Sequence, residues 1–190
     1  DMLLTSPPYI NVFNYHQKYR RSAEVLGYDA LKAAASEIGS NRKNRGNRFL
    51  TVVQYCLDMA WTMREAVRVC RENARMIYVV GRESRVMGIS FCNSELVYNI
   101  GAEIFGLDFA LRQERFFMNR YGKMIYEDIL HFSNRKGRMI PDSEINEKAR
   151  DIALRMLTEK MKNADSRALQ FLRDAISKKD KIMPSEVLAV

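Results

Sequence analysis

Asp1-Met2-Leu3-Leu4-Thr5-Ser6-Pro7-Pro8-Tyr9 decides how the rest of this chain is read. Met2 to Leu4 is a short apolar run of the kind that fills a buried parallel strand. Pro7 and Pro8 end it at once, because neither can donate a hydrogen bond to a neighbouring strand. Ser6 precedes a proline and is held in extended geometry. The order therefore fixes a polar side chain, a rigid corner and an aromatic ring just past the carboxyl end of a strand. Open α/β sheets bind their ligands at that end.

Outward from this stretch, Asn11 to Leu26 reads as a loop entering a helix that Gly27 closes. Tyr15, His16, Lys18, Tyr19, Arg20 and Arg21 interleave aromatic and basic side chains there, a mixture suited to bases and phosphates. Asp29 to Ile38 reads as a short helix with Asp29 as its N-cap. Gly39 to Arg48 is polar and carries four positive charges and no acid. Its Arg42, Lys43 and Arg45 are candidates for contacts to a nucleic-acid backbone.

Phe49 to Asn73 is expected to be the longest helix. Phe49, Val52, Val53, Cys56, Leu57, Ala60, Met63, Val67 and Cys70 recur at helical spacing and read as its core face. A β-branched strand follows from Met76 to Val80, then a loop from Gly81 to Arg85. Ser94 to Phe105 reads as a helix capped by Asn93 or Ser94 and stopped by Gly106. Leu107 to Met118 and Met124 to Phe132 read as two strands joined by a turn. Arg112, Arg115, Phe116, Phe117 and Arg120 gather charge and rings near that turn. Glu127 and Asp128 do not form a catalytic pair, because neighbouring strand residues point to opposite faces. From Ser133 the composition shifts to a basic linker. Two helices follow, one from Pro141 to about Asn163 and one opened by Asp165 or Ser166, as an αα-hairpin packed on the sheet or on a partner.

The phrase Thr5-Ser6-Pro7-Pro8-Tyr9-Ile10-Asn11 after an apolar strand resembles motif IV of the amino-methyltransferases of DNA bases. Its Ser-Pro-Pro-Tyr form is most typical of enzymes that methylate the exocyclic amine (N4) of cytosine; adenine enzymes more often carry Asp or Asn in place of the serine. The helix and strand from Glu65 to Gly81 are similar to the family's next elements. The hairpin ending in Glu127-Asp128-Ile129-Leu130-His131-Phe132 is similar to its last two strands. The resemblance covers residues 1–132, motif IV to motif VIII, leaving 133–190 as a helical C-terminal extension.

That resemblance implies an α/β fold: part of a Rossmann-like methyltransferase sheet, about four strands with helices and a terminal β-hairpin, plus the C-terminal helical hairpin. It implies S-adenosyl-L-methionine as cofactor, double-stranded DNA as partner and a role in restriction–modification. The Ser6 hydroxyl and the Pro7 carbonyl would accept hydrogen bonds from the amine, Pro8 would hold the corner, and Tyr9 would stack on a base flipped from the helix. Thr5 and Ser6 would lie beside the cofactor. Tyr15, Lys18, Arg20, Arg42, Lys43, Arg45, Arg115 and Arg120 would contact DNA. The alternatives are an adenine-N6 methyltransferase acting on DNA or RNA, and a non-catalytic DNA-binding or assembly subunit of the same fold.

Composition agrees with a cytoplasmic nucleic-acid enzyme. The formal net charge is +8 and the sequence pI about 9.5, compatible with a phosphate-backbone partner. Cys56, Cys70 and Cys92 are odd in number and widely spaced, so they read as reduced core cysteines rather than disulfides or metal ligands. His16 and His131 are too far apart to announce a zinc site. No apolar run reaches the roughly 18 residues of a membrane span. The chain contains no Gly-x-Gly turn and no clear acidic residue for a ribose. A chain opening inside a core strand reads as part of a longer protein, whose cofactor half is expected to come from preceding residues or from a second polypeptide. Without that half, the apolar edge at Met2–Leu4 would stand open.

Overall fold

The structure, a computed structural model, describes residues 1–10, 15–39, 44–135 and 139–187. At its centre is a four-stranded mixed sheet in the order β1-β2-β6-β5. β1 (Met2–Thr5) runs parallel to β2 (Arg75–Gly81). β6 (Met124–Ser133) lies antiparallel to β2, and β5 (Asp108–Met118) antiparallel to β6. The α/β class and the terminal hairpin stand as read.

Between β1 and β2 the chain makes α1 (Tyr15–Lys18), α2 (Arg20–Val25), α3 (Ala30–Ser36) and α4 (Leu50–Val69). The single helix expected before Gly27 is broken at Tyr19, which leaves helical geometry between α1 and α2. Asp29 caps α3 as its sequence requires: its carboxylate accepts from Leu31 N at 2.7 Å and Lys32 N at 3.3 Å. α4 ends at Val69, four residues early, because Cys70 turns extended and Asn73 takes a positive φ of 61°. Phe49 to Val67 of its expected core face are all buried. Thr51, Gln54, Tyr55, Asp58 and Met59 are buried as well, so its first turns are enclosed all round.

The expected loop from Gly81 to Arg85 is instead the start of a second, two-stranded sheet, β3 (Glu83–Val86) and β4 (Ile89–Cys92). Ser84 and Val86 are buried while Glu83 and Arg85 are exposed, an alternation too short to stand out in sequence. Met87 and Gly88 turn it with φ of 50° and 85°, the paired positive values of a tight hairpin turn. α5 (Asn93–Asn99) continues as one π-helical turn, Ile100–Ile104. Gly101 lies against Phe132 there; an added Cβ would meet that ring at 3.1 Å.

α6 (Asp142–Lys160) and α7 (Ser166–Lys178) form the expected C-terminal helices. Asp165 caps α7 by accepting from Ala168 N at 2.7 Å. Ile145, Ala149, Ile152, Ala153, Met156, Leu157 and Leu172 join the same core cluster as the sheet and α4. Among the described residues no helix is long and apolar enough to cross a membrane.

The sheet is covered on one face. Met76, Tyr78 and Val80 of β2 and Leu130 and Phe132 of β6 are buried against the helices. On the other face Ile77, Val79, Ile129 and His131 stay half-buried, and Leu4 and Leu111, in register beside them, are exposed. β1 is an edge strand, and Met2 and Leu4 are 64% and 62% exposed. The expectation of a buried strand is corrected for this chain. Nothing among the described residues pairs with the outer edge of β1.

One buried charge ties the chain's last described segment to the helices. Asp58 of α4 accepts from Gly39 N at 2.7 Å, Gln54 Nε2 at 3.0 Å, Ser185 N at 2.6 Å and Ser185 Oγ at 2.9 Å. Burial nevertheless pushes its carboxyl above the ordinary value of 3.8. Folding therefore favours the protonated form, and this group's contribution to stability declines as pH rises above 3.8. Asp58→Ala is expected to cost about 2–4 kcal/mol at neutral pH by leaving buried donors unpaired, to free the segment around Ser185 for proteolysis, and to remove that pH-dependent component. Denaturant titrations across pH, with limited proteolysis, check all three.

Candidate active site

The parallel strands β1 and β2 end side by side, and the site is built on those two ends. Thr5 closes β1, half-buried. Ser6 is exposed, Pro7 is buried, and Pro8 and Tyr9 are half-buried. The prolines turn the chain across the end of β2, and the Tyr9 ring comes down on Gly81. A Cβ at Gly81 would stand 2.7 Å from Tyr9 Cε2 and 2.8 Å from Cδ2, closer than side chains pack. The ring therefore needs glycine at the last residue of β2.

The Tyr9 hydroxyl donates to Glu127 Oε1 at 3.1 Å. Glu127 faces Gly81 across the β2–β6 ladder, so the same rung supplies both the floor for the ring and the acceptor for its hydroxyl. Arg115, opposite Glu127 on β5, places Nη2 2.7 Å from Glu127 Oε2. Desolvation raises the Tyr9 phenol above its ordinary value and the Glu127 carboxylate adds to that, while the Ser6 hydroxyl beside it works the other way. Tyr9 is thus held as a neutral donor. Tyr55 is wholly buried in the core, and its phenol is also pushed up by burial, with Tyr9 among the groups acting on it.

Asn93 fixes the geometry. It is wholly buried, its Nδ2 donates to Gly81 O at 2.8 Å and Ser84 Oγ at 2.9 Å, and its Oδ1 accepts from Ile10 N at 3.4 Å. One side chain ties the residue after Tyr9 to the end of β2 and to β3. It was expected only as a helix cap. Glu127, Arg82 and Asn93 were not read as site residues, because their roles come from strand register. Arg82 donates to Asp128 Oδ1 at 3.0 Å from Nη2, and Ser94 Oγ donates to Asp128 Oδ2 at 2.6 Å. Glu127 and Asp128 do serve opposite faces, as strand geometry requires.

The basic and aromatic candidates fall into separate groups. Tyr15 and Lys18 lie on α1, with Tyr15 stacked on Tyr19 at 6.5 Å between ring centres and Lys18 Nζ 5.6 Å from the Tyr19 ring. α1 is pinned by His16, whose Nδ1 lies 2.8 Å from Glu37 Oε2 and whose backbone N–H donates to the same carboxylate. Arg20 is spent locally on Glu24 at 2.7 Å. Arg45 is exposed on the turn before α4. Arg115 and Arg120 belong to the β5–β6 hairpin. Arg42 and Lys43 lie outside the described residues. A cavity of about 300 Å³ between α5 and β5, lined by Ser94, Tyr98, Phe109 and Arg112, includes none of the proposed catalytic residues.

Compared with protein families, with curated proteins and with solved structures, the chain matches none.

Gly81→Ala is expected to destabilise the protein by about 1–3 kcal/mol through overpacking against Tyr9. The cost should fall in a Tyr9→Ala background, where the clashing ring is gone. Thermal or denaturant unfolding of the two single variants and the double variant measures that coupling.

Proposed function

We propose that this chain is the catalytic half of a DNA methyltransferase that modifies the exocyclic amine (N4) of cytosine in a flipped-out base, within a restriction–modification system. The observation that carries the reading is the Ser6-Pro7-Pro8-Tyr9 corner at the carboxyl end of a parallel strand, with Tyr9 braced by Gly81 and Glu127 of the neighbouring ladder. One face of the Tyr9 ring is taken by Gly81, and a base would stack on the other. Ser6, exposed beside it, and the Pro7 carbonyl would accept the protons of the amine. An exocyclic amine is a poor nucleophile because its lone pair is delocalised into the ring. Two acceptors that hold its hydrogens turn that pair out of conjugation. This is catalysis by positioning and calls for no strong base. Extruding the base costs about a few kcal/mol, repaid by stacking and edge hydrogen bonds.

The methyl group would come from S-adenosyl-L-methionine, whose Gly-rich turn would have to be supplied from outside these residues. No Gly-x-Gly turn is present, and only Thr5 and Ser6 stand at the end of the edge strand. The free edge of β1 and the uncovered face beside it offer the place for the other half of a Rossmann-like sheet. A strand pairing with β1 and helices over Leu4, Ile77, Val79 and Ile129 would satisfy the edge and bury that face. That half belongs to the same longer protein or to a second chain.

Serine at the first position of the motif favours cytosine over adenine. In the complete enzyme, Ser6→Ala together with Tyr9→Ala is expected to lower methyl transfer to DNA by about a hundredfold or more. The product should be N4-methylcytosine on nucleoside analysis. Unchanged transfer overturns the site; N6-methyladenine moves the reading to an adenine enzyme. Failure to bind S-adenosylmethionine with the partner half present leaves a non-catalytic DNA-binding subunit.

A further inference from the structure

β5 and β6 outrun the sheet. The last rung of β2 is Gly81 opposite Glu127; beyond it, among the described residues, Arg82 joins β6 to the body through its N–H to Tyr126 O at 3.0 Å and its guanidinium 5.3 Å from the centre of the Tyr126 ring. The two strands then continue alone through Phe116–Tyr126, Phe117–Ile125 and Met118–Met124. Three residues at roughly 3.3 Å each carry the ribbon about 10 Å past the Tyr9 rung, before the turn is counted.

The tip is built rather than loose. Asn119 N donates to Lys123 O at 2.9 Å, and Gly122 N, in a residue with φ of 73°, donates to Asn119 O at 3.0 Å. The Asn119 side chain accepts from Tyr121 N at 2.9 Å and Lys123 N at 3.0 Å. Arg120 lies over the Tyr121 ring at 4.7 Å.

Its surface chemistry is specific. From Phe116 to Tyr126 the only charges are Arg120 and Lys123, both positive and both at the tip. One face presents Phe116 and Met118, each 66% exposed, with Met124 and Tyr126 opposite them. Phe116 and Tyr126 are tilted 43° at 6.3 Å. At the base of the arm, Arg115 covers Phe117 at 5.3 Å and pairs with Glu127, which holds Tyr9. The arm and the proposed base site are therefore neighbours along one ladder, with Phe116 and Tyr126 on the Asp128 face of the ribbon and Arg115 and Glu127 on the other.

We propose that this hairpin is a duplex-binding arm that enters the major groove of B-form DNA. That groove, about 12 Å wide, admits a two-stranded ribbon. Arg120 and Lys123 meet the phosphates that border it, and Phe116, Met118, Met124 and Tyr126 lie against base edges and thymine methyls. The proposal rests on reading the Ser6–Tyr9 corner as a nucleobase site and adds to it the side from which the duplex is held.

The test uses the full-length protein with its completing half and a labelled 24-base-pair DNA duplex, with an RNA duplex of the same sequence as second probe. Phe116→Ser with Tyr126→Ser is expected to weaken DNA binding about tenfold. Arg120→Ala with Lys123→Ala is expected to reduce the slope of log affinity against log salt by about 2. Guanine N7, in the major groove, should be protected from dimethyl sulfate by the wild type and regain reactivity with the Phe116/Tyr126 variant. The RNA duplex, whose major groove is too narrow for the arm, should bind more weakly than DNA. Both double variants should stay folded, the Phe116/Tyr126 variant losing no more than one cross-strand ring pair in stability. Wild-type affinity and wild-type N7 protection in both double variants would overturn the arm, as would equal binding of the two duplexes. The methyl-transfer test at Ser6 and Tyr9 is read separately, so either idea can fall while the other stands.

Discussion

The seat of Tyr9 on Gly81 is the contact on which the site depends. Any Cβ at Gly81 would meet the ring at 2.7 Å, so the last residue of β2 and the last residue of the Ser-Pro-Pro-Tyr corner constrain each other. The prolines make the corner stiff, the glycine makes room for it, and Glu127 takes the hydroxyl. Asn93 then locks the arrangement, because one wholly buried amide satisfies Gly81 O, Ser84 Oγ and Ile10 N together. Each of these partners comes from a different element, so the geometry exists only when β1, β2, β3, α5 and β6 are all in register.

That dependence explains what could be read from sequence. Elements with a local signature were legible: the proline-terminated strand, the periodic stripe of α4, the β5–β6 hairpin, and the caps at Asp29 and Asp165. Where the signal is non-local the reading failed. Nothing local in the sequence gives Glu127 or Asn93 a place in the site; they join it because β6 pairs with β2 in one register and α5 starts at one point. Gly81 to Arg85 reads as a loop rather than as the start of the β3–β4 hairpin, because two short alternating strands around Met87–Gly88 carry too few residues for periodicity to show. Helix ends such as Val69 were set by where Cys70 and Asn73 had to turn for Arg75 to reach β1, which no propensity encodes.

Asp58 follows the same logic away from the site. A carboxylate in mid-helix with hydrophobic neighbours looks like an error in a core stripe. It is the acceptor for three distant donors, Gly39 N, Ser185 N and Ser185 Oγ, as well as for Gln54 one turn away. Burial raises its proton affinity even so. Its value is positional: a charge that costs solvation free energy fixes where the loop after α3 and the segment around Ser185 meet α4.

Two surfaces of the sheet remain uncovered among the described residues, and their chemistries differ. Along β1, Met2 and Leu4 continue into Ile77, Val79 and Ile129: a mostly aliphatic stripe, with Arg75 beside Met2 at one end and His131 beside Ile77, bordered by unpaired backbone groups of an edge strand. Such a surface gains most from another protein layer, because a strand satisfies the edge and a helix removes the aliphatic area from water. At the opposite edge, the β5–β6 ribbon carries rings, thioethers and two cations at its tip. A layer of helices would strand Arg120 and Lys123 without partners, whereas a phosphate backbone matches them and base edges match the rings. The sheet is therefore polarised from side to side. On the proposed reading, its β1 edge would take the completing protein half and its β5 edge the duplex, and base and methyl donor would meet at the Ser6–Tyr9 corner past the end of β1.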